Sequence, residues 1–133
     1  EKRIRKAKEN IRNLGREDRI TLLEGDAAEI LAKIDDSFDF IFMDAAKGQY
    51  IYFLEDVLRL LAPGGLFVSD NVLQDGDVAK SRYAIERRDR TIHKRMRDFL
   101  YQIKNCSVLD TVILTVGDGV AISKKTGETN ERK

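Results

Sequence analysis

Apolar residues recur along the first part of the chain with a helical period and then with a strand pattern. Residues 1–14 carry an apolar residue at every third or fourth position, which predicts an amphipathic helix. These residues are Ile4, Ala7, Ile11 and Leu14. The apolar stretch 19–25 that follows predicts a short strand. Asp26, with Glu29 three residues later, has the spacing of a helix N-cap and therefore predicts a second helix.

The middle of the chain alternates strand, helix and strand. Residues 38–45 are apolar on both faces near their end, as expected of a parallel strand that is covered by helices on each side. A helix is predicted over about 49–61, because its apolar residues recur at helical spacing. Pro63 and the two following glycines end this helix, and 65–71 is the next predicted strand.

The last part of the chain predicts a polar loop, a long helix and a hairpin. The loop covers 72–82, and the amphipathic helix runs over about 85–104. Its predicted inward residues are Ile92, Met96, Phe99, Leu100 and Ile103. Residues 108–125 form two strands joined by a glycine-rich turn at 117–119. The polar residues 126–133 are expected to form a flexible tail.

This order of elements predicts an α/β fold with a mostly parallel sheet and a C-terminal antiparallel hairpin. The 133 residues suffice for one domain, which we expect over 1–125. In such sheets, ligands bind outside the carboxyl ends of the strands. Four polar residues close predicted strands and are therefore candidate site residues. They are Asp26, Asp44, Asp70 and Asn71.

Asp44, Asp70 and Asn71 would offer oxygen ligands in one cleft if their two strands are neighbours. Such ligands suit Mg²⁺ or Ca²⁺, and the presence of one histidine and one cysteine argues against zinc. The alternative is that these residues merely cap the following turns. Lys47, three residues after Asp44, could act as a general base, or it could be an ordinary surface lysine. Tyr50 could line the same cleft or simply pack.

The charge of the chain is nearly balanced overall but concentrated in one segment. The formal net charge is +1, whereas residues 80–97 carry eight Lys or Arg against two acids. This excess suggests an anionic partner, although a solvated helix face is the alternative. We expect His93 in this segment to lie at the surface or to face phosphates, and Cys106 to be a packed thiol. No apolar run is long enough to span a bilayer, and the charged start of the chain has no apolar signal-peptide segment, so we expect no membrane partner. Since a single cysteine excludes an intrachain disulfide, a reducing cytoplasm is the simplest compartment.

The sequence DAAKGQY (44–50), followed by LAPGGLFVSDNVL (61–73), resembles the cation-dependent O-methyltransferases that use S-adenosylmethionine, the family of catechol and caffeoyl-CoA methyltransferases. LLEGDAAEIL (22–31) is similar to the third cofactor motif of that family. The basic stretch 87–100 is most similar to the bacterial branch that methylates 5-hydroxyuridine in tRNA. The resemblance implies a Rossmann-like class I methyltransferase fold, with Mg²⁺ and S-adenosylmethionine as cofactors.

Roles for particular residues follow from this resemblance. It implies that Asp44, Asp70 and Asn71 hold Mg²⁺ and that Lys47 is the catalytic base. The residues implied to contact the cofactor are Asp26, Ala27, Asp44, Ala45 and Tyr50. The residues implied to neutralise tRNA phosphates are Arg87, Arg88, Arg90, Lys94, Arg95 and Arg97.

The chain departs from the family pattern at its start, where the glycine-rich strand–turn–helix motif for the cofactor is missing. The chain therefore resembles the C-terminal two-thirds of a family member. In the family, the two strands that this chain lacks lie at the centre of the sheet, between 19–25 and 38–45. We expect the edges that their absence exposes to favour a homodimer, and the cofactor affinity of this chain alone to be reduced. Two alternatives to a tRNA methyltransferase stay open: a small-molecule catechol-type O-methyltransferase, and a non-catalytic basic module for binding or dimerisation.

Overall fold

The computed structural model of the chain describes residues 1–127, and the predicted tail over 126–133 lies almost wholly outside them. The chain separates into two compact units, Glu1–Lys33 and a larger one that begins at Ile34. The prediction of one domain over 1–125 stays a prediction. Each unit is described by itself.

The first unit contains two helices, α1 (Lys2–Asn13) and α2 (Ala27–Leu31). Both were predicted, and the expected cap of α2 is confirmed. The Asp26 carboxylate accepts hydrogen bonds from the backbone nitrogens of Ala28 and Glu29 at 2.9 and 3.3 Å. The predicted strand 19–25 is wrong, because this segment is not assigned to any sheet. A strand needs the ladder hydrogen bonds of a neighbour, which an apolar sequence pattern cannot supply by itself.

The second unit contains a four-stranded sheet and two long helices. Its elements are β1 (Phe38–Met43), α3 (Tyr50–Leu60), β2 (Leu61–Asp70), α4 (Arg90–Asn105), β3 (Leu109–Leu114) and β4 (Val120–Lys125). The strand order is β1-β2-β4-β3. The β1–β2 pair is parallel, and β4 is antiparallel to both β2 and β3. The α/β fold and the C-terminal hairpin are thus confirmed. The expectation of a mostly parallel sheet is wrong for the described strands, because the hairpin strand β4 pairs antiparallel with both β2 and β3 and only β1–β2 is parallel.

The start of β2 contains an irregularity that explains the Pro-Gly-Gly sequence. In the β1–β2 register Phe38 pairs with Leu61, but Phe40 already pairs with Leu66. The extra residues of β2 therefore bulge out of the ladder. Gly64 in this bulge has φ +79°, a left-handed conformation that glycine adopts without a steric penalty.

The core of the second unit lies on the face of the sheet that carries α3 and α4. The buried residues of α3 follow a helical period, and Phe99 of α4 packs edge-on against Tyr50 and Phe67. The α3 residues are Tyr50, Phe53, Leu54, Val57 and Leu60. The opposite side of β1 is open, since Phe40 and Phe42 are 57% and 55% exposed. The prediction that this strand is buried on both faces is therefore wrong, because the described helices α3 and α4 of the second unit lie on the other face of the sheet.

The first residue of α4 that faces the core is His93 and not the predicted Ile92. Ile92 is 39% exposed, whereas His93 is 3% exposed. His93 lies three residues before buried Met96, so it shares the helical face that turns towards the core. Its ring nitrogen Nε2 lies 3.0 Å from the backbone oxygen of Asp77. The expectation of a surface histidine is thus wrong.

Candidate active site

The candidate site lies at the carboxyl ends of β1 and β2, as predicted from the positions of Asp44 and Asp70. These strands are adjacent and parallel, with Met43 paired to Ser69, so the residues that follow them emerge at one sheet edge. The turn after β1 continues into a short 3₁₀ helix, Lys47–Gln49, and then into α3.

Lys47 connects the two strand ends. Its Nζ atom donates hydrogen bonds to the Tyr50 hydroxyl at 2.9 Å and to the Asp70 backbone carbonyl at 3.2 Å. It also donates to Asn71 Oδ1 at 3.4 Å and lies 3.6 Å from Asp44 Oδ1. Because the Lys47 side chain is only 24% exposed, it is not the freely solvated surface lysine of the alternative interpretation.

Tyr50 stabilises this arrangement from the core of the second unit. The residue is fully buried, and its hydroxyl lies 3.1 Å from the Met43 carbonyl and 2.9 Å from the Asp70 carbonyl. The Lys47 ammonium also lies 4.8 Å from the centre of the Tyr50 ring. The hydroxyl thus ties the last residues of β1 and β2 to the lysine. The role of Tyr50 in cofactor binding stays a prediction.

The three predicted metal ligands differ in their surroundings. The Asp44 side chain is 60% exposed, whereas Asp70 and Asn71 are half-buried. The Asp70 carboxylate accepts a hydrogen bond from the Asn71 backbone nitrogen at 2.8 Å. Among the described residues, no group of three or more His, Cys, Asp or Glu side chains gathers as a metal site. The predicted ligands Asp44, Asp70 and Asn71 do not form such a group, because only two of them are carboxylates and the third is an amide.

The remaining predicted cofactor residues lie in different places. Ala45 is half-buried in the turn after β1, next to Asp44. Asp26 and Ala27 lie in the first unit, where the Asp26 carboxylate caps α2. Their roles towards a cofactor stay predictions.

The predicted phosphate-binding residues are partly engaged within the protein. Arg88 pairs with Glu86 and Asp89, and Lys94 pairs with Asp98. Exposed Arg87 lies just before α4. Arg90 and Arg97 donate to backbone oxygens: Arg90 Nε to Ile85 at 3.1 Å, and Arg97 Nη1 to Lys80 at 3.3 Å.

Arg95 contacts the turn that carries Lys47. Its Nη1 atom donates to the Gly48 carbonyl at 3.4 Å, and its guanidinium carbon lies 5.1 Å from the centre of the Tyr52 ring. Sequence reasoning missed this contact and the part of Tyr50 in joining the strand ends. The spacing of Lys47 and Tyr50 by three residues was the available signal for the second, since it brings the two side chains to one side of a helical turn.

The family comparison covers almost the whole chain. Residues 1–126 match the family described as O-methyltransferase. A caffeoyl-CoA O-methyltransferase of Eucalyptus globulus is 34% identical in an alignment of 124 residues that covers 86% of this chain and 49% of the relative. The tapetum-specific methyltransferase 1 of Arabidopsis thaliana is 25% identical in an alignment of 121 residues that covers 88% of this chain and 52% of that protein. The chain thus spans about half the length of these curated relatives.

Solved structures agree with the family assignment. The SAH-bound methyltransferase of Podospora anserina has a TM-score of 0.81 at 26% identity, with 95% of this chain and 57% of that chain covered. An O-methyltransferase from Bacillus cereus in complex with SAH has a TM-score of 0.77 at 27% identity, covering 90% of this chain and 56% of the other. The sequence match over 1–126 and the shared fold lead to one conclusion: the chain belongs to the O-methyltransferase family.

Proposed function

We propose that this chain carries the cation-binding and proton-accepting part of an O-methyltransferase active site that uses S-adenosylmethionine and Mg²⁺. The observation that carries the proposal is the position of Lys47 Nζ. It lies within 3.6 Å of side-chain oxygens from Asp44 and Asn71, which follow two adjacent parallel strands.

The donor set fits a hard divalent cation. Carboxylate and amide oxygens are the ligands that Mg²⁺ takes in proteins. The Lys47 ammonium is itself a cation and already contacts the Asp44 and Asn71 oxygens, which supports the view that this strand edge attracts positive charge. Asp44, Asp70 and Asn71 would hold Mg²⁺. When bound, the cation polarises the acceptor hydroxyl and S-adenosylmethionine supplies the methyl group.

Lys47, in its neutral amine form, would accept the proton of the acceptor hydroxyl at Nζ and become the ammonium. Tyr50 and the Asp70 carbonyl hold this atom in place through hydrogen bonds of 2.9 and 3.2 Å, which limits its freedom before the reaction. The packing of Tyr50 against Phe99 in turn keeps the hydroxyl fixed from the core side. Pre-orientation of a base by a buried partner is what general-base catalysis requires.

The cofactor assignment rests on the relatives. The Podospora anserina and Bacillus cereus structures contain SAH. In the second unit the proposed cofactor contacts are Asp44 and Ala45, whereas the roles of Asp26 and Ala27 in the first unit rest on the resemblance alone. Fully buried Tyr50 would act through the backbone of the strand ends.

The proposed methyl acceptor is 5-hydroxyuridine in tRNA. Its support is the basic segment 80–97, whose exposed members include Arg87, Arg88 and Lys94. RNA phosphates are bound by such clusters of cationic side chains. The second candidate acceptor is a small catechol-type molecule, which is favoured by the caffeoyl-CoA O-methyltransferases among the relatives.

Methyl transfer from radiolabelled S-adenosylmethionine tests the proposal directly. We expect label in tRNA that carries 5-hydroxyuridine, with transfer lost when EDTA removes Mg²⁺. Transfer that is unaffected by EDTA would refute the cation requirement. Label in a catechol but not in tRNA would identify the second candidate as the acceptor.

Calorimetric titration with S-adenosylmethionine tests the non-catalytic alternative. A folded chain that releases no heat at high cofactor concentration would be a binding or dimerisation module. The identity of tRNA as the acceptor is tested by measuring how its affinity for the chain depends on salt concentration. A log–log slope near zero would exclude phosphate contacts and with them the tRNA proposal.

We also propose a homodimer. Its support is the open edge of β1 and its exposed side chains Phe40 and Phe42, since an unpaired apolar strand edge favours association. Sedimentation equilibrium tests this proposal, and a monomer at all concentrations up to the millimolar range would refute it.

A further inference from the structure

The loop that follows β2 has an unusual backbone. Asn71, Gln74 and Asp75 have φ values of 51°, 50° and 52°, in the left-handed region. Each such residue costs about 1–2 kcal/mol for an ordinary L-amino acid, although Asn and Asp tolerate this region better than most. Three of them within five residues persist only when neighbouring structure holds the loop.

The turn between β3 and β4 supplies the contacts that hold this loop. The Val72 backbone nitrogen donates to the Gly119 carbonyl at 3.0 Å, and the Leu73 backbone nitrogen donates to the Asp118 carbonyl at 2.9 Å. The Asp118 carboxylate accepts a further hydrogen bond from the Asp75 backbone nitrogen. Val72 is fully buried, so the first of these bonds is shielded from water.

Gly119 also permits the close approach of the loop to the turn. A Cβ atom at this position would lie 2.3 Å from Leu73 Cγ, much closer than a van der Waals contact. Its φ of +80° is a second reason why glycine is required there. Gly117 in the same turn also has a positive φ, of +56°, but a Cβ atom there would meet nothing within 4 Å. A substitution at Gly119 therefore disturbs both the turn and its contact with the loop, whereas a substitution at Gly117 disturbs the turn alone.

The loop begins with a residue of the candidate cation site. The Asn71 amide oxygen lies 3.4 Å from Lys47 Nζ, and the Asn71 backbone nitrogen donates a hydrogen bond to the Asp70 carboxylate. We propose that Asp118 and Gly119 are positioning residues for this site: they hold the loop so that Asn71 presents its amide oxygen beside Asp70. This inference rests on the proposed function. It adds residues that lie about fifty positions away in the chain and were not assigned to the site.

The test compares Gly119→Ala with Gly117→Ala in the 133-residue chain, with Mn²⁺ as the probe of the cation site. Both substitutions impose a positive φ on alanine, but only the first pushes a methyl group into Leu73. We expect Gly119→Ala to weaken Mn²⁺ binding, measured by electron paramagnetic resonance, by about tenfold, as for other residues that orient metal ligands. Gly117→Ala should leave the affinity within about twofold. Equal affinities in the two variants would overturn the proposal.

A second pair of variants covers the case in which Gly119→Ala fails to fold. Asp118→Ala removes the acceptor for the Asp75 nitrogen, whereas Asp118→Asn keeps an oxygen in the same place. We expect weaker Mn²⁺ binding in Asp118→Ala and recovery of most of the affinity in Asp118→Asn. Weakening of the same size in both would contradict the positioning role.

Amide hydrogen exchange separates failure of this inference from failure of the proposed function. If the unmodified chain binds no Mn²⁺, the cation site itself is refuted. The positioning of the loop is then decided by the Val72 and Leu73 amides, which should exchange faster in Gly119→Ala than in Gly117→Ala. Equal exchange rates would overturn it.

Discussion

Lys47 and Tyr50 form a 2.9 Å hydrogen bond between the ammonium and a hydroxyl that is fully buried. The same hydroxyl lies within 3.1 Å of the backbone carbonyls of Met43 and Asp70. A single phenol thus joins the ends of two strands to the proposed base. A surface-accessible amine is in this way fixed by the core of the protein.

Replacement of Tyr50 by Phe should destabilise the second unit and lower turnover together. The change removes the hydroxyl that contacts the Met43 carbonyl and accepts a hydrogen bond from Lys47 Nζ. An unsatisfied buried polar group lowers the free energy of unfolding by about 1–3 kcal/mol. Thermal unfolding and kcat measure the two effects. Tyr52→Phe is the control on the same helix, since Tyr52 is 57% exposed. An unchanged stability of Tyr50→Phe would contradict the joining role of the hydroxyl.

Replacement of Lys47 by Met should lower kcat by about 10²–10⁴-fold, the usual contribution of a general base. Binding of S-adenosylmethionine, measured by calorimetry, should change little. Lys33→Met is the control, because Lys33 is exposed and lies outside both the candidate site and the basic segment 80–97. If cofactor affinity collapses in Lys47→Met, the lysine has a structural role instead.

Replacement of Asp70 by Ala should abolish turnover that depends on Mg²⁺. The substitution removes a proposed ligand but keeps the backbone carbonyl that contacts Lys47 and Tyr50. Titration of activity with Mg²⁺ checks this expectation, with Asp36→Ala as the control at an exposed position. Retained activity at ordinary Mg²⁺ concentrations would remove Asp70 from the site.

Replacement of Arg87 by Ala should weaken tRNA binding equally for all sequences. Loss of one phosphate contact lowers the slope of log affinity against log salt by about one. Lys6→Ala on exposed α1 is the matched loss of charge outside the basic segment. Equal slopes for Arg87→Ala and the unmodified chain would mean that this arginine does not reach the RNA.

Replacement of Phe99 by Ala should destabilise the second unit by about 3–5 kcal/mol, as for other buried aromatic residues. Phe99 is fully buried and contacts the rings of Tyr50 and Phe67. Tyr101→Ala on the same helix should change the free energy of unfolding by no more than about 0.5 kcal/mol, because Tyr101 is 70% exposed. Chemical denaturation measures both. Similar losses in the two variants would place Phe99 outside the core.

No helix among residues 1–127 is both long and apolar enough to cross a membrane, in agreement with the short apolar runs of the sequence.

The sequence also predicted the two long helices, the hairpin and the strand ends that carry Asp44 and Asp70. These features could be predicted because each depends on local periodicity, on turn-forming residues or on a rule of α/β topology that needs no atomic detail.

Other features depended on which elements became neighbours. The stretch 19–25 has the composition of a strand but is not paired, and β1 is exposed on one face because α3 and α4 lie on the other. The one-position error at Ile92 and His93 arose because the helical period alone does not fix which side of a helix meets the core.

The sequence by itself determined the fold class and the residues at the strand ends, because these follow from patterns within short segments. Only the tertiary structure decided how those residues are held. Tyr50 joins two strands through a hydrogen bond, and Asp118 meets the loop after β2 from a distant turn. The contacts of Tyr50 with Asp70 and of Asp118 with Asp75 join residues that are far apart in the chain, and their geometry is set by packing and backbone conformation rather than by local sequence.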